Sequence, residues 1–379
     1  MGRVGVGANL APQPAHELFL PCRSEPELFR AMDSVILAER ERLTQRVTEC
    51  AEAALAGRGC VERAFRLDGR CFVMRFAGRE LAEIMTRALN HLATEERGEV
   101  ALTIDCWDVA GSGLPMPMPD WPKHLFMARG EVRGLDGPEM RVAYFDWIKL
   151  LNVYLPEARR AFYCIDDAGQ FPVQQLGSPA LTIFSWWGAM LGWQFIHAAA
   201  VGTARGAVLV AGHGGAGKST LAFSTLKSSP LRYLSDDYCM LAPGEPARVL
   251  AIFSSGKLTE MSLCLLQHLR KHASNANDRA REKAVFFLQE QFPEKLLAQA
   301  PLRAIVLSRI SSFETALAPV SWSEVMGVLA ESTIRQLAGT DGRDFMRMMR
   351  CARGLPIHRL DHGLDSAATH KLLLQLCES

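Results

Sequence analysis

Gly212-His213-Gly214-Gly215-Ala216-Gly217-Lys218-Ser219 meets the spacing G-x-x-x-x-G-K-[ST] at every fixed position. Each residue type has a physical reason. Glycines let a backbone curl until successive N–H groups point inward at phosphate oxygens. A lysine at the place of Lys218 reaches the β- and γ-phosphates of a nucleoside triphosphate, and a hydroxyl at the place of Ser219 is a ligand for Mg²⁺. Thr220 completes the run of nucleotide-binding candidates that begins at Gly212. The apolar run AVLVAG enters the loop and KSTLAFSTLKSS leaves it as a helix, so the context is strand, loop, helix. The plain alternative is a glycine-rich turn that fits by accident, and the two flanking elements speak against it.

Asp236 and Asp237 follow 18 and 19 residues after Lys218, behind the short apolar run LRYLS. A phosphate-loop site needs one carboxylate at the end of a neighbouring strand for the metal. One of the pair suffices for that. A second, adjacent carboxylate exceeds the need. Aimed at the γ-phosphate, it takes a proton from an attacking hydroxyl; read plainly, it caps the next segment. Arg309 in VLSRIS, and more weakly Lys257 in SSGKL, are cations that could neutralise charge in a transition state. Exposed strand ends explain them equally well. The basic stretch 268–283 could grip an acidic substrate or close over nucleotide, or be a solvated loop. The chain has no L-S-G-G-Q signature and no N-K-x-D guanine motif.

These residues need a frame. FIHAAAV and GAVLVAG, joined by GTAR, read as adjacent strands, and RYLS as a third. Upstream the texture differs. Residues 25–57 carry apolar residues at helical spacing. RAFRLDGRCFVMRFAG is a hairpin about a DG turn. RELAEIMTRALNHLAT is a helix, EVALTIDCWDV a strand, and GSGLPMPMPDWP a proline-rich loop. HLFMARGEVRGLDGPEMRVAYFD alternates and turns at DG, and RAFYCIDDAG is a short strand. The division is a helical segment at 1–58, a smaller α+β domain without site motifs at 59–190, and an α/β phosphate-loop domain at 191–379. Separate cores are expected to meet near 176–195, with SWWGAMLGW buried there.

The 379 residues are 49% apolar, enough for a sizeable core, and carry a net charge of +1. Such a balance gives no electrostatic grip on nucleic acid. Ten scattered cysteines without a C-x-x-C pair read as reduced thiols, and the first residues lack the apolar core of a leader. Ala180–Val201 is long enough to span a bilayer, but Gln194 and His197 interrupt it. It reads as a buried helix and then a buried strand. The expectation is a cytoplasmic protein with no membrane and no nucleic-acid partner.

IHAAAV, GHGGAGKST and YLSDDY together resemble the HPr kinase/phosphorylase family, and more closely the HPr-kinase-related proteins of bacterial biosynthetic gene neighbourhoods. The likeness is strong over about 190–245 and looser toward the C-terminus. It implies an α/β P-loop kinase domain, with the nucleotide core shared by phosphoenolpyruvate carboxykinase, preceded by the smaller α+β domain. It implies ATP and Mg²⁺ as cofactors, with Gly212 to Ser219 as phosphate loop, Asp236 at the magnesium and Asp237 as general base for a serine hydroxyl. It places His197 on the strand beside the loop, facing the reacting phosphate; a packed structural histidine is the alternative. The further signature that the HPr enzymes carry after the nucleotide core is absent. Three readings stand open: a serine kinase for a protein or peptide, a kinase for a small hydroxylated metabolite, and a regulatory ATP-binding module. Assembly into a homo-oligomer is left open too.

Overall fold

The computed structural model describes residues 25–379 apart from 228, 277–282 and 312–313, and gives backbone alone for 25–35. The expected segment 1–58 is thus described from Glu25, where one helix, Glu25–Arg58, begins; residues 1–24, with Cys22 and the leader expectation, lie outside the described residues. So does part of the basic stretch 268–283.

The first sheet has seven strands: β1 (Cys60–Leu67), β2 (Arg70–Ala77), β3 (Val100–Asp108), β4 (Glu131–Asp136), β5 (Arg141–Phe145), β6 (Leu150–Leu155) and β7 (Arg160–Ile165). They lie in the order β1-β2-β3-β7-β6-β5-β4. The β1–β2 hairpin turns at Asp68-Gly69 with φ of 47° and 76°, the left-handed pair that a two-residue turn of this hand requires. Strand β6 carries no alternating signal: nearly every residue of LLNVYL is buried, so no polar position marks an outer face. Leu43, Val47, Ala51, Ala54 and Leu55 of the long helix, at helical spacing, cover one face of this sheet. The helix Leu181–Met190 belongs to the other face, where Phe184 and Trp187 meet Phe72 edge-on.

The second sheet is built from β8 (Gln194–Ile196), β9 (Ala199–Thr203), β10 (Gly206–Ala211), β11 (Arg232–Ser235), β12 (Cys239–Ala242) and β13 (Arg248–Leu250). The ribbon β14 (Ser255–Leu258) and β15 (Ala284–Phe287) pairs separately, and β16 (Gln299–Ile310), β17 (Ala316–Ala318) and β18 (Ile357–His362) complete the sheet. Strands β10, β16 and β18 run parallel, so their carboxyl ends open on one crevice, the usual ligand position of an open α/β sheet.

Two expectations change here. FIHAAAV is not one strand. The chain breaks at His197–Ala198 and passes from β8, paired with β12, to β9, paired with β10 and β11. The segment paired with it breaks at the same level, between β11 and β12, at residues 236–238. Nor are the cores separate. The sheets stay apart, yet one apolar cluster runs from Phe72 and Ile104 through Trp186, Trp187 and Trp193 to Phe195, Met240 and Phe253. Within SWWGAMLGW, residues 185–188 and Trp193 are buried at that junction as expected while Met190 at the turn is 56% exposed, and the tryptophans are large enough to fill both sides. No described helix is long and apolar enough to cross a membrane.

Candidate functional site

The chemistry gathers at the twin break. A strand that changes pairing partner leaves its corner residues without ladder bonds. At this corner those residues are His197, Asp236 and Asp237. Strand β10 ends against it at Ala211, and the chain curls from Gly212 into the helix Lys218–Ser224. Gly215 and Gly217 take φ of 81° and 86°, where a side chain is strained. A Cβ on Gly217 would also sit 2.9 Å from the His362 ring. The loop is pinned from behind. Ser308 donates to the Ala216 carbonyl at 2.6 Å, and its oxygen is 2.8 Å from His362 Nε2.

Lys218 folds back over its own loop, donating to the carbonyls of Gly212 at 2.8 Å and His213 at 3.1 Å. Burial draws its ammonium below the usual value, opposed by Asp236 and Asp237. His213, Gly214 and Gly215 are exposed at the rim. Thr220 turns its hydroxyl away, to Ser262 at 2.9 Å.

Asp236 is 1% exposed. Its Oδ2 accepts from the Lys257 amide at 2.9 Å, while Oδ1 is buried with no hydrogen-bond partner. Burial, then the charge of Asp237, raises its carboxyl to about 7, with the Ser219 hydroxyl and Lys257 pulling the other way. Asp237 faces elsewhere: Oδ2 is 3.2 Å from the Lys257 ammonium and Oδ1 3.9 Å from His197 Nε2. Burial would raise it as well, but Lys257, His197 and Lys283 outweigh burial and hold it below the usual carboxylate range. Two neighbouring carboxyls are thus driven apart, one toward the acid and one fixed as the anion. One residue, Lys257, touches both, by its amide and its ammonium.

His197 is held by the end of the helix Trp322–Ile334. Its N–H donates to Thr333 Oγ1 at 3.1 Å, its carbonyl accepts from Ser332 at 3.4 Å, and Nδ1 is 3.5 Å from Gln336 Nε2. Gln336 is fixed in turn by the Tyr238 hydroxyl at 2.9 Å, and the Tyr238 ring lies 5.2 Å from the imidazole. Burial lowers the imidazole to about 4, against the pull of Asp237, so the ring is neutral at pH 7 and its approach to Asp237 is not an ion pair.

The first half of the chain reaches this support. Arg129 donates to the carbonyl of Leu337 at 2.9 Å and that of Thr340 at 3.2 Å, and pairs with the buried Glu131 at 3.0 Å. Glu131 accepts from the Gly339 amide at 2.7 Å. Residues 337–340 follow directly on the turn that holds His197.

The structure therefore brings together Lys218, Ser219, Asp236, Asp237 and His197, and adds Lys257. Arg309 is placed differently. Ile310 approaches Gly217, and alternation turns Arg309 to the opposite side of β16, where it makes a bidentate pair with Asp361 at 2.6 and 2.9 Å. Gln336, Thr333 and Arg129 escape a sequence reading; they lie over 130 and about 70 residues from His197, and only Tyr238, next after the aspartates, carries a local signal.

Mg²⁺ fits these groups. The buried Asp236 carboxylate, whose Oδ1 has no hydrogen-bond partner, and the Ser219 hydroxyl that acts on it are two oxygen groups a cation can share. Magnesium is commonly held by one or two protein oxygens, with phosphates and water completing the shell. Among the described residues no group of three His, Cys, Asp or Glu side chains forms a separate metal cage.

No family model matches the chain, and no curated protein matches it. Among solved structures it is similar to the Hpr(Ser) kinase/phosphatase from Coxiella burnetii, over 34% of this chain and 72% of that one, at 11% identity and a TM-score of 0.23. A likeness of that size bears no functional weight.

Proposed function

We propose that the chain is a kinase that uses Mg·ATP to phosphorylate a hydroxyl, most readily a serine of a protein or peptide. The observation that carries the reading is the pair of carboxyls at the mouth of the phosphate loop. One has an unpaired buried oxygen, and the other is kept ionised by a cation.

In this reading the loop amides and Lys218 hold the phosphates, and Lys218 exchanges the Gly212 and His213 carbonyls for phosphate oxygens. Ser219 and Asp236 hold Mg²⁺, which draws charge off the β- and γ-phosphates when bound. Asp237 takes the proton of the acceptor hydroxyl as the new oxygen–phosphorus bond forms, and the bond to the β-phosphate oxygen breaks with its electron pair leaving on ADP. Lys257 keeps Asp237 deprotonated at neutral pH and stands where charge develops. Neutral His197 offers Nε2 to a phosphoryl oxygen or the acceptor. Arg309, tied to Asp361, acts at the site only by leaving that pair.

The test is intact-mass screening of serine-containing proteins and peptides, and of small alcohols, with Mg·ATP. The reading expects an acceptor that gains one phosphoryl group with the wild type and not with Asp237→Asn. Equal gain with the variant would remove Asp237 as base, and consumption of ATP without any acceptor in either class would favour the regulatory module.

A further inference from the structure

A cavity of about 850 Å³ begins at Gly217 and Thr220 and extends away from the reacting groups. Lys218, Ser219, Asp236, Asp237 and His197 do not line it. Its walls are the helix Lys218–Ser224, the end of the helix Glu260–Leu265, the carboxyl ends of β16 and β18, and the start of the helix Ser366–Glu378. Its size is that of a small-molecule site.

Its rim is unusual for this molecule. Leu265, Ile310 and Leu364 are 53%, 61% and 83% exposed, and all three surround this one opening. Large apolar side chains left in water around a concavity mark a place that something flat and apolar covers. The walls are tied to the phosphate loop, by Thr220 to Ser262 on one side and by Ser308 and His362 on the other. The cavity therefore has a fixed distance from the phosphates.

Equally informative is what the described lining lacks. It contains no carboxylate, no side-chain amide and no lysine or arginine. Of its one imidazole, His362, Nε2 is taken up by Ser308 at 2.8 Å. The remaining polar side chains are hydroxyls and a thiol, and a hydroxyl can donate or accept as the partner demands. The side chains of such a lining grip a ring by its faces and do not read its edge. A pocket of this kind discriminates poorly between rings of like size.

We infer that this cavity holds the nucleoside of the triphosphate, clamped between Leu265, Ile310 and Leu364, and that it accepts purine nucleoside triphosphates without choosing adenine over guanine. The inference rests on the phosphate-loop reading above. A triphosphate laid along the loop with its γ-phosphate at Asp237 runs its ribose toward Thr220, and this cavity opens at that end.

The experiment is calorimetric titration with Mg·ATP, Mg·GTP and magnesium tripolyphosphate, which has the phosphates and no nucleoside. The proteins are the wild type, Leu364→Asp and Leu265→Ser, both changed at exposed positions. Wild type should bind ATP and GTP within about fivefold of each other. The variants should lose about 10- to 100-fold in affinity for both nucleotides, the worth of one buried leucine contact. Their affinity for tripolyphosphate should stay within about threefold, since no phosphate contact changes. Cys264, exposed on the same lining, should be shielded from a thiol reagent by ATP or GTP and not by tripolyphosphate. Variants that bind nucleotide as tightly as wild type, or a GTP affinity more than about fiftyfold below that for ATP, overturn the inference while leaving the loop intact. Failure of tripolyphosphate and ATP alike to bind folded wild type removes the phosphate-loop reading itself, and this inference with it.

Discussion

Replacing Asp236 by asparagine should make the metal-free protein more stable while disabling it. Asp236 is 1% exposed, one of its oxygens has no partner, and Asp237 adds a second negative charge next to it. Burial and that charge raise its carboxyl from 3.8 to about 7. Between those values the folded chain binds a proton that the unfolded chain does not, so stability falls as pH rises through the window. Above about pH 7 the full cost is present, at most about 4 kcal/mol. Asparagine keeps the shape, and its carbonyl oxygen can still accept from the Lys257 amide. Some of the gain is lost because an amide nitrogen meets the Ser219 side, so a net stabilisation of about 2 kcal/mol is expected at about pH 8. At about pH 4.5 the wild-type carboxyl is already neutral in the fold and only about 1 kcal/mol of the cost remains, so the gain should vanish or reverse. The assay is urea denaturation of both proteins at the two pH values in EDTA, repeated at the higher pH with Mg·ATP. With ligand the order should reverse, because only the wild type gains binding energy. A variant less stable than wild type at about pH 8 without metal, or a gain that is the same at both pH values, would refute the reasoning.

Asp237→Asn should leave Mg·ATP affinity within a few-fold and cut phosphoryl transfer by about 10²–10⁴, measured by single turnover once an acceptor is found. His91 is a second titration with the opposite sign. Burial lowers its ring to about 4, with only the bond to the Ala251 carbonyl opposing, and Nδ1 is shut away unpaired. Because the folded chain refuses this proton, stability is lost as pH falls from 6.5 toward 4, by up to about 3 kcal/mol. His91→Gln should flatten that part of the stability–pH curve in denaturation experiments, and an unchanged slope would count against it. Arg129→Ala removes the donor of the Thr340 carbonyl, leaves the Leu337 carbonyl with the Thr340 hydroxyl alone, and leaves the buried Glu131 without its cation. It should cost about 2–4 kcal/mol and, by loosening the support of His197, reduce transfer more than it reduces nucleotide binding, which a split between kcat and KM would show.

Local signals are legible in the sequence and long-range ones are not. The glycine-rich loop, its entering strand and leaving helix, the hairpin at Asp68-Gly69 and the burial of Trp186, Trp187 and Trp193 all follow from residues within a few positions of one another. The aspartate pair is legible as a pair, and its two environments match the alternation of an extended chain. What fails is whatever depends on distant partners. The break in FIHAAAV arises because β8 and β9 pair with different neighbours, and three alanines give no hint of it. The joining of the two cores depends on which tryptophans of 186–193 reach across. Lys257 meets the aspartates through the crossing of β14 beneath them, and SSGKL alone shows only a cation. Arg309 is legible as a strand-end arginine, but its face is settled by Asp361 in a strand about fifty residues on.

The most direct test of the account is calorimetric titration of Mg·ATP into the wild-type chain and into Lys218→Ala. Lys218 reaches over the loop and supports no core contact, so the variant should remain folded by circular dichroism. The account predicts saturable binding by the wild type below about 1 mM, dependent on magnesium, and its loss in the variant. Folded wild-type protein that takes up no Mg·ATP at that concentration, or a variant that binds it as well as wild type, would contradict the claim that this loop is built to hold a nucleoside triphosphate.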